Sequence, residues 1–182
     1  MIYTRKGDEG ETGLPGGGRV RKDDPRIVAC GEIDELSSSI GTAISMLPRR
    51  RAFWSLRLTL EAAQSDLLRI GTELAASGKP APPHTFSPEA TAKLEAEIDR
   101  LTGDLRPLRQ FILPGGSAPG SFLHLSRAVC RRAERAVCAL SAGLAAPPVL
   151  SYLNRLSDLL FVSARWANHR MKQHEARWKA PR

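Results

Sequence analysis

The stretch LRLTLEAAQSDLLRIGTEL, residues 56–74, decides the fold. Its apolar residues Leu56, Leu60, Ala63, Leu67, Ile70 and Leu74 recur at steps of 4, 3, 4, 3 and 4. That spacing lays them along one side of a helix, forming the seam of a helix packed in a bundle.

The same pattern extends outward in both directions. Upstream, Ile33, Leu36, Ile40, Ile44 and Leu47 recur at steps of three and four before Pro48 and Arg49-Arg50-Arg51 close the segment. Downstream, Ser77 to Pro83 reads as a loop. Ser87-Pro88-Glu89 then supplies an N-cap, a proline at the first helical position and an acid in the first turn. The helix it opens carries Leu94, Ile98, Leu101 and Leu105 on one face. A short apolar run, Phe111-Ile112-Leu113, ends at Pro114-Gly115-Gly116. A helix over residues 121–140 buries Leu123, Ser126, Cys130, Ala133, Val137 and Leu140. After Pro147-Pro148 the last helix turns Val149, Leu153, Leu156, Leu160, Ala164 and Ala167 inward. The expectation is an all-α protein: a five-helix antiparallel bundle with short links and no convincing sheet. It forms a single domain, with an extended Gly-rich arm at residues 1–26, the bundle at 27–169 and a basic tail at 170–182.

Composition agrees. The chain has 182 residues, 42% of them hydrophobic but only 5% aromatic, and the apolar residues are mostly Leu and Ala. That mix favours helix over strand and excludes wholesale disorder. No apolar run is long enough to cross a bilayer, and MIYTRKGDEG lacks the apolar core of a signal peptide, so a cytoplasmic location is expected. Three cysteines without a CxxC pair read as reduced core residues. The histidines His84, His124, His169 and His174 show no zinc-ligand spacing. The net charge of +8 is concentrated at the end, where Arg165–Arg182 holds six basic residues against one acid. Such a tail either holds an acidic partner or is a frayed, solvated helix end.

Some polar residues depart from an ordinary bundle surface. Arg127, Arg131, Glu134 and Arg135 fall on one helical stripe, with Arg132 beside them. Guanidiniums so arranged repel unless an anion is present, and their planar, permanently charged forks suit a polyphosphate. The alternative is a solvated face of i,i+4 pairs. Asn154 and Asp158 lie one turn apart with Arg155 adjacent, a pair able to bond a ribose or to hold an arginine. The arm, TRKGDEGETG at residues 4–13, offers backbone N–H groups, Arg5 and Lys6 to a phosphate and Asp8 to a metal ion, though it is no GxxxxGK[ST] loop and taken alone reads as a disordered terminus. Lys22 adds a further cation. No nucleophile–base set stands out, so hydrolysis is not favoured.

Three stretches together resemble the PduO-type ATP:cob(I)alamin adenosyltransferases. They are IYTRKGDEGETG (2–13) continuing through RVRKDDPR (19–26) to GEIDELSSSIG (31–41), FILPGGS (111–117) leading into LSRAVCRRAERAV (125–137), and LNRLSDLLFVSAR (153–165). The resemblance implies a trimer with active sites between subunits. It implies ATP with Mg²⁺ bound by Thr4, Arg5, Lys6, Gly7, Thr12, Gly13, Lys22, Arg131, Arg132, Ala133, Glu134, Arg135 and Asn154. The Mg²⁺ is implied to be held through the ATP phosphates, and the resemblance leaves its protein ligand unassigned. Asp34 and Arg127 match a pair joined across the subunit interface. Phe111 matches an aromatic at the lower face of the corrin, and Asp158 an acid near the site. The implied reaction is attack of Co(I) in cob(I)alamin on the ribose 5′-carbon of ATP, expelling triphosphate. Arg131, Arg132, Arg135 and Lys22 would neutralise that leaving group. A cob(II)alamin reductase and a cobalamin-dependent enzyme are the implied partners, with no nucleic acid and no membrane. Lys6 stands where the family commonly has Thr, and GLPGGGR is richer in glycine than in many relatives.

Two non-enzyme readings stand beside this one. The +8 charge and basic tail would suit a nucleic-acid-binding helical protein, although the tail has few interleaved aromatics. A corrinoid or ATP sensor would keep the fold without catalysis, although every motif arginine is present.

Overall fold

The computed structural model describes residues 2–15, 17–76, 87–140 and 147–179. The expected loop from Ser77 to Pro83 falls outside them. Two short strands, β1 (Glu11–Gly13) and β2 (Arg19–Arg21), precede five helices: α1 (Pro25–Met46), α2 (Trp54–Ala75), α3 (Pro88–Gly103), α4 (Ala118–Cys138) and α5 (Pro147–Arg170).

Every residue assigned to the seams of α1, α2, α4 and α5 from spacing alone is buried, from Ile33 and Leu36 to Ala164 and Ala167. In α3 the burial is narrower: Leu94 and Leu101 are buried, while Ile98 and Leu105 are partly so. The reason is position, since among the described residues α3 packs mainly along α5, at the edge of the bundle. In the rest, α1 lies between α2 and α4, and α4 lies between α1 and α5. Cross-helix bonds fix the antiparallel sense. Gln64 Nε2 donates to Ser37 O (2.9 Å) and Cys30 Sγ to Gly71 O (3.5 Å) between α1 and α2. Tyr152 Oη donates to Asp66 (3.0 Å), closing α5 onto α2, and this burial beside a carboxylate pushes the Tyr152 pKa up. Trp166 sits against Phe53, ring centroids 5.4 Å apart, and its Nε1 donates to Asp104 (2.8 Å).

The structure corrects the sequence reading at four points. The arm ends at Asp24, because the Asp24 carboxylate caps α1 by accepting from Arg26 N (2.9 Å), with Pro25 opening the helix. α4 starts three residues before the expected Ser121, because Ser117 Oγ accepts from Gly120 N (3.2 Å) as its cap. The arm contains a hairpin, Glu11 opposite Arg21 and Gly13 opposite Arg19, where no sheet was expected. Nor is the basic tail a frayed end. After Arg170 the chain turns back and pairs with the segment before α4, Leu113 N donating to Ala176 O (2.8 Å) and Trp178 N to Phe111 O (2.9 Å).

Candidate functional site

The hairpin organises the arm. Arg19 Nη2 donates to Lys6 O (2.6 Å) and its Nε to Glu11 (3.1 Å), folding residues 5–10 over the strands. Lys22 N donates to Gly10 O (2.8 Å), and a Cβ added at Gly7 would lie 3.3 Å from Lys22 Nζ. A side chain at Gly7 would therefore crowd the Lys22 side chain. Thr4, Arg5 and Lys6 are exposed, Gly13 likewise, and Thr12 is half-buried. Arg5 takes a left-handed φ of 60° and its guanidinium lies 5.6 Å from the Tyr3 ring centre. Buried Leu14 ties this hairpin down.

On α4 the arginines divide into two kinds. Arg132 reaches α1, its Nε 2.6 Å from Glu32 and its Nη2 bonded to Glu35, and these two carboxylates raise its pKa. Arg127 leans on Phe161, 6.0 Å from the ring centre, with its Nε buried and unpartnered. Arg131 and Arg135 are exposed and meet no carboxylate among the described residues; Arg135 Nη1 donates only to Arg131 O (3.1 Å). The repulsion expected from the stripe is thus relieved at Arg132 and left standing at Arg131 and Arg135. Asn154 Nδ2 donates to Glu134 (3.1 Å), which brings the Asn of α5 beside this pair. Ala133 faces the other way, with 0% exposure in the core, so its side chain cannot line the surface that Arg131 and Arg135 share. Arg155 bridges Asp158 (2.8 Å) and Glu95 (2.9 Å), so Asp158 holds an arginine, one of the two options its spacing offered.

Asp34 and Arg127, the pair expected across the subunit interface, do not meet within one chain. Asp34 is exposed at the rim of a groove of about 320 Å³ between α1 and α2, lined by Leu67, Leu68 and Thr72. Arg127 lies at the α4–α5 side instead. Phe111, 80% exposed and edge-on to Trp178 with centroids 6.4 Å apart, precedes α4. Along α4 the path from Ser117 to Arg131 is about 21 Å at 1.5 Å per residue. Sequence spacing missed three supports: Glu32 and Glu35 under Arg132, Asn168 under the turn before α4, and Trp178 beside Phe111. The lone aromatic in a charged tail was the available signal for Trp178. Among the described residues, no three His, Cys, Asp or Glu side chains gather to hold a metal ion.

The profile of the cobalamin adenosyltransferase family matches residues 2–167. The corrinoid adenosyltransferase of Bacillus subtilis (strain 168) is 42% identical over 170 residues, 93% of this chain and 87% of that protein. The cobalamin adenosyltransferase of Cupriavidus metallidurans is 42% identical over 186 residues, spanning 100% of this chain and 95% of that protein. Among solved structures, a variant PduO-type ATP:corrinoid adenosyltransferase from Lactobacillus reuteri, complexed with cobalamin and ATP, superposes with a TM-score of 0.91. It is 35% identical, and the match covers 99% of this chain and 100% of that one.

Proposed function

The chain belongs to the cobalamin adenosyltransferase family, and from that premise we propose that it transfers the 5′-deoxyadenosyl group of ATP to the Co(I) centre of cob(I)alamin, releasing triphosphate. The observation that carries this reading is the pair of exposed, uncompensated guanidiniums of Arg131 and Arg135 beside Asn154 and Glu134. Their neighbours on the same faces are paired, Arg132 with Glu32 and Glu35 and Arg155 with Glu95 and Asp158, which leaves Arg131 and Arg135 open to an anion.

Cob(I)alamin brings the nucleophile, so the protein's work is positioning and charge neutralisation. Arg131, Arg135 and Lys22 take the charge that develops on the leaving triphosphate, with Mg²⁺ held by the phosphates. Thr4, Arg5, Lys6, Gly7, Thr12 and Gly13 form the arm's contribution to ATP, the glycines admitting phosphate close to backbone N–H groups. Arg132, anchored on Glu32 and Glu35, offers its remaining edge. Ala133, its side chain buried in the core, contributes no side chain to this face, and Asn154 bonds the ribose while Glu134 orients it. Phe111 seats the corrin, with Asp158 nearby.

The roughly 21 Å along α4 from Ser117, which follows the Phe111 segment, to Arg131 supports an active site completed by a neighbouring subunit. A homotrimer in which Asp34 of one copy meets Arg127 of the next satisfies both unpaired groups. The single domain then comprises arm, bundle and tail, acting in the cytoplasm. It receives its electron through a cob(II)alamin reductase and passes product to a cobalamin-dependent enzyme.

The test is anaerobic mixing with Mg-ATP and chemically reduced cob(I)alamin, followed by visible spectroscopy and triphosphate assay. A light-sensitive alkylcobalamin spectrum with stoichiometric triphosphate is expected. A folded protein that binds ATP and transfers nothing would favour a sensor.

A further inference from the structure

Near the end of the bundle that carries Phe111, the α3–α4 connection and the returning tail flank an open cavity of about 870 Å³. Arg165, 9% exposed, is the clamp that holds it together: Nη2 donates to Arg106 O (3.0 Å) and Nε lies 3.4 Å from Glu175. Glu175 is the only carboxylate among the lining residues, and it is spent on Arg165. Arg106, Arg109 and Arg177 also line the cavity, and none of these guanidiniums meets a carboxylate among the described residues. His169 and His174 join them. Apolar walls come from Leu108 and Ile112. Three uncompensated guanidinium forks around one hollow are the arrangement that recognises phosphate. A volume of this size admits the phosphate together with an organic group, and apolar walls suit such a group better than a bare ion.

We infer that this cavity binds the phosphate of an organic phosphate ester, and that its occupant during adenosyl transfer is the nucleotide loop of the corrinoid. The assignment of that source rests on the adenosyltransferase reading. Its geometric ground is the two-residue ribbon between tail and connection. Ile112 pairs with Arg177 across it and both line the cavity, while the adjacent Phe111 and Trp178 stack their rings. Alternation along an extended segment puts the two pairs on opposite faces. A corrin seated on Phe111 therefore lies one ribbon away from the guanidiniums. The phosphodiester, hung on a flexible side chain of the corrin, then meets Arg177, Arg109 and Arg106. The arginines proposed for ATP lie toward the other end of α4, which leaves this cavity to the second substrate.

Cobinamide, which lacks the nucleotide loop, separates the sources. In an Arg109→Gln/Arg177→Gln double variant, the KM for cobalamin should rise about tenfold or more, the scale of losing charge-assisted hydrogen bonds. The KM for cobinamide, the KM for ATP and kcat should stay within about twofold. Calorimetric titration of inorganic triphosphate and of ATP into both proteins, without corrinoid, covers the other source. A second binding event that disappears in the double variant would keep the phosphate site and assign it to free polyphosphate. Unchanged cobalamin KM with unchanged titrations would overturn the inference. So would an equal cobalamin effect from Arg49→Gln/Arg50→Gln, which removes two charges outside the cavity. Absence of transfer to either corrinoid by the unaltered protein would strike the adenosyltransferase reading instead, and the titrations would still decide the cavity.

Discussion

Asn168 on α5 and Ser117 at the start of α4 meet at one oxygen: Asn168 Oδ1 accepts from both the backbone N–H and the hydroxyl of Ser117, each at 2.8 Å. Asn168 Nδ2 donates in turn to Gly115 O (2.9 Å), so one buried amide pins the turn that carries the chain from Phe111 into α4. Gly116, at φ +107°, lies so near that a Cβ there would sit 2.5 Å from the Asn168 amide. Asn168→Ala is expected to destabilise the fold by about 2–4 kcal/mol, since it leaves several buried polar groups unsatisfied. Thermal denaturation should show a clearly lowered Tm, and an unchanged Tm would contradict the pinning.

Arg131 carries the proposed phosphate role without a structural one, because its guanidinium makes no ion pair among the described residues. Arg131→Ala should lower kcat by about 100- to 1,000-fold, the usual cost of one preorganised charge-stabilising donor. Its melting temperature should stay near that of the unaltered protein. Turnover within a factor of three would remove Arg131 from the site.

His124 is buried between α4 and α5 with both ring nitrogens unpartnered, 5.9 Å from the Phe161 ring centre. Burial, then the charges of Arg127 and Arg165, push its pKa down from 6.5 to about 4. The unfolded chain therefore takes up a proton at a pH where the folded one does not. Stability is full above about pH 6.5 and falls as pH drops toward 4. The total loss is roughly 3 kcal/mol. In His124→Phe that part of the acid sensitivity should vanish, as read from urea midpoints at pH 7 and pH 4.5. An identical pH slope in the variant would rule the histidine out as its source.

The three cysteines should react with iodoacetamide in a fixed order. Cys138 is exposed and goes first. Cys30, half-buried, has its pKa raised by desolvation and follows slowly. Cys130 is buried, its thiol pushed up to about 12 by desolvation and by Glu134, and its Sγ donates to Leu153 O (3.3 Å). It should alkylate only on unfolding. Mass spectrometry of a time course resolves the three, and early labelling of Cys130 would refute the packing of α4 on α5.

Trp178 closes the ribbon beside Phe111. Trp178→Ala should raise the KM for corrinoid several-fold, in keeping with the ~0.5–1.5 kcal/mol of an aromatic pair. The KM for ATP should not change. A change in both, or in neither, would detach the tail from the corrinoid end.

The helices were legible because burial along a packed helix must follow its 3.6-residue period, and Leu56 through Leu74 keep that period without a break. The caps were only partly legible. Ser87-Pro88-Glu89 announces α3, whereas Asp24 and Ser117 do the same work inside Gly- and Pro-rich stretches where turn signals mask them. The arginines of α4 were legible as a charged stripe, but what each of them meets was not. Arg131 and Arg132 are neighbours in sequence, and only the packing of α1 against α4 hands one of them to Glu32 and Glu35 and leaves the other free.

By itself the sequence determined the number of helices and their buried faces, because these follow from local periodicity. Tertiary structure decided what each polar group meets. The fold of the tail onto Phe111, the clamp of Arg165 on Glu175, and the separation of Arg127 from Asp34 depend on contacts between residues distant in the chain. Such contacts are fixed only when whole helices dock, and no local pattern along the chain encodes them.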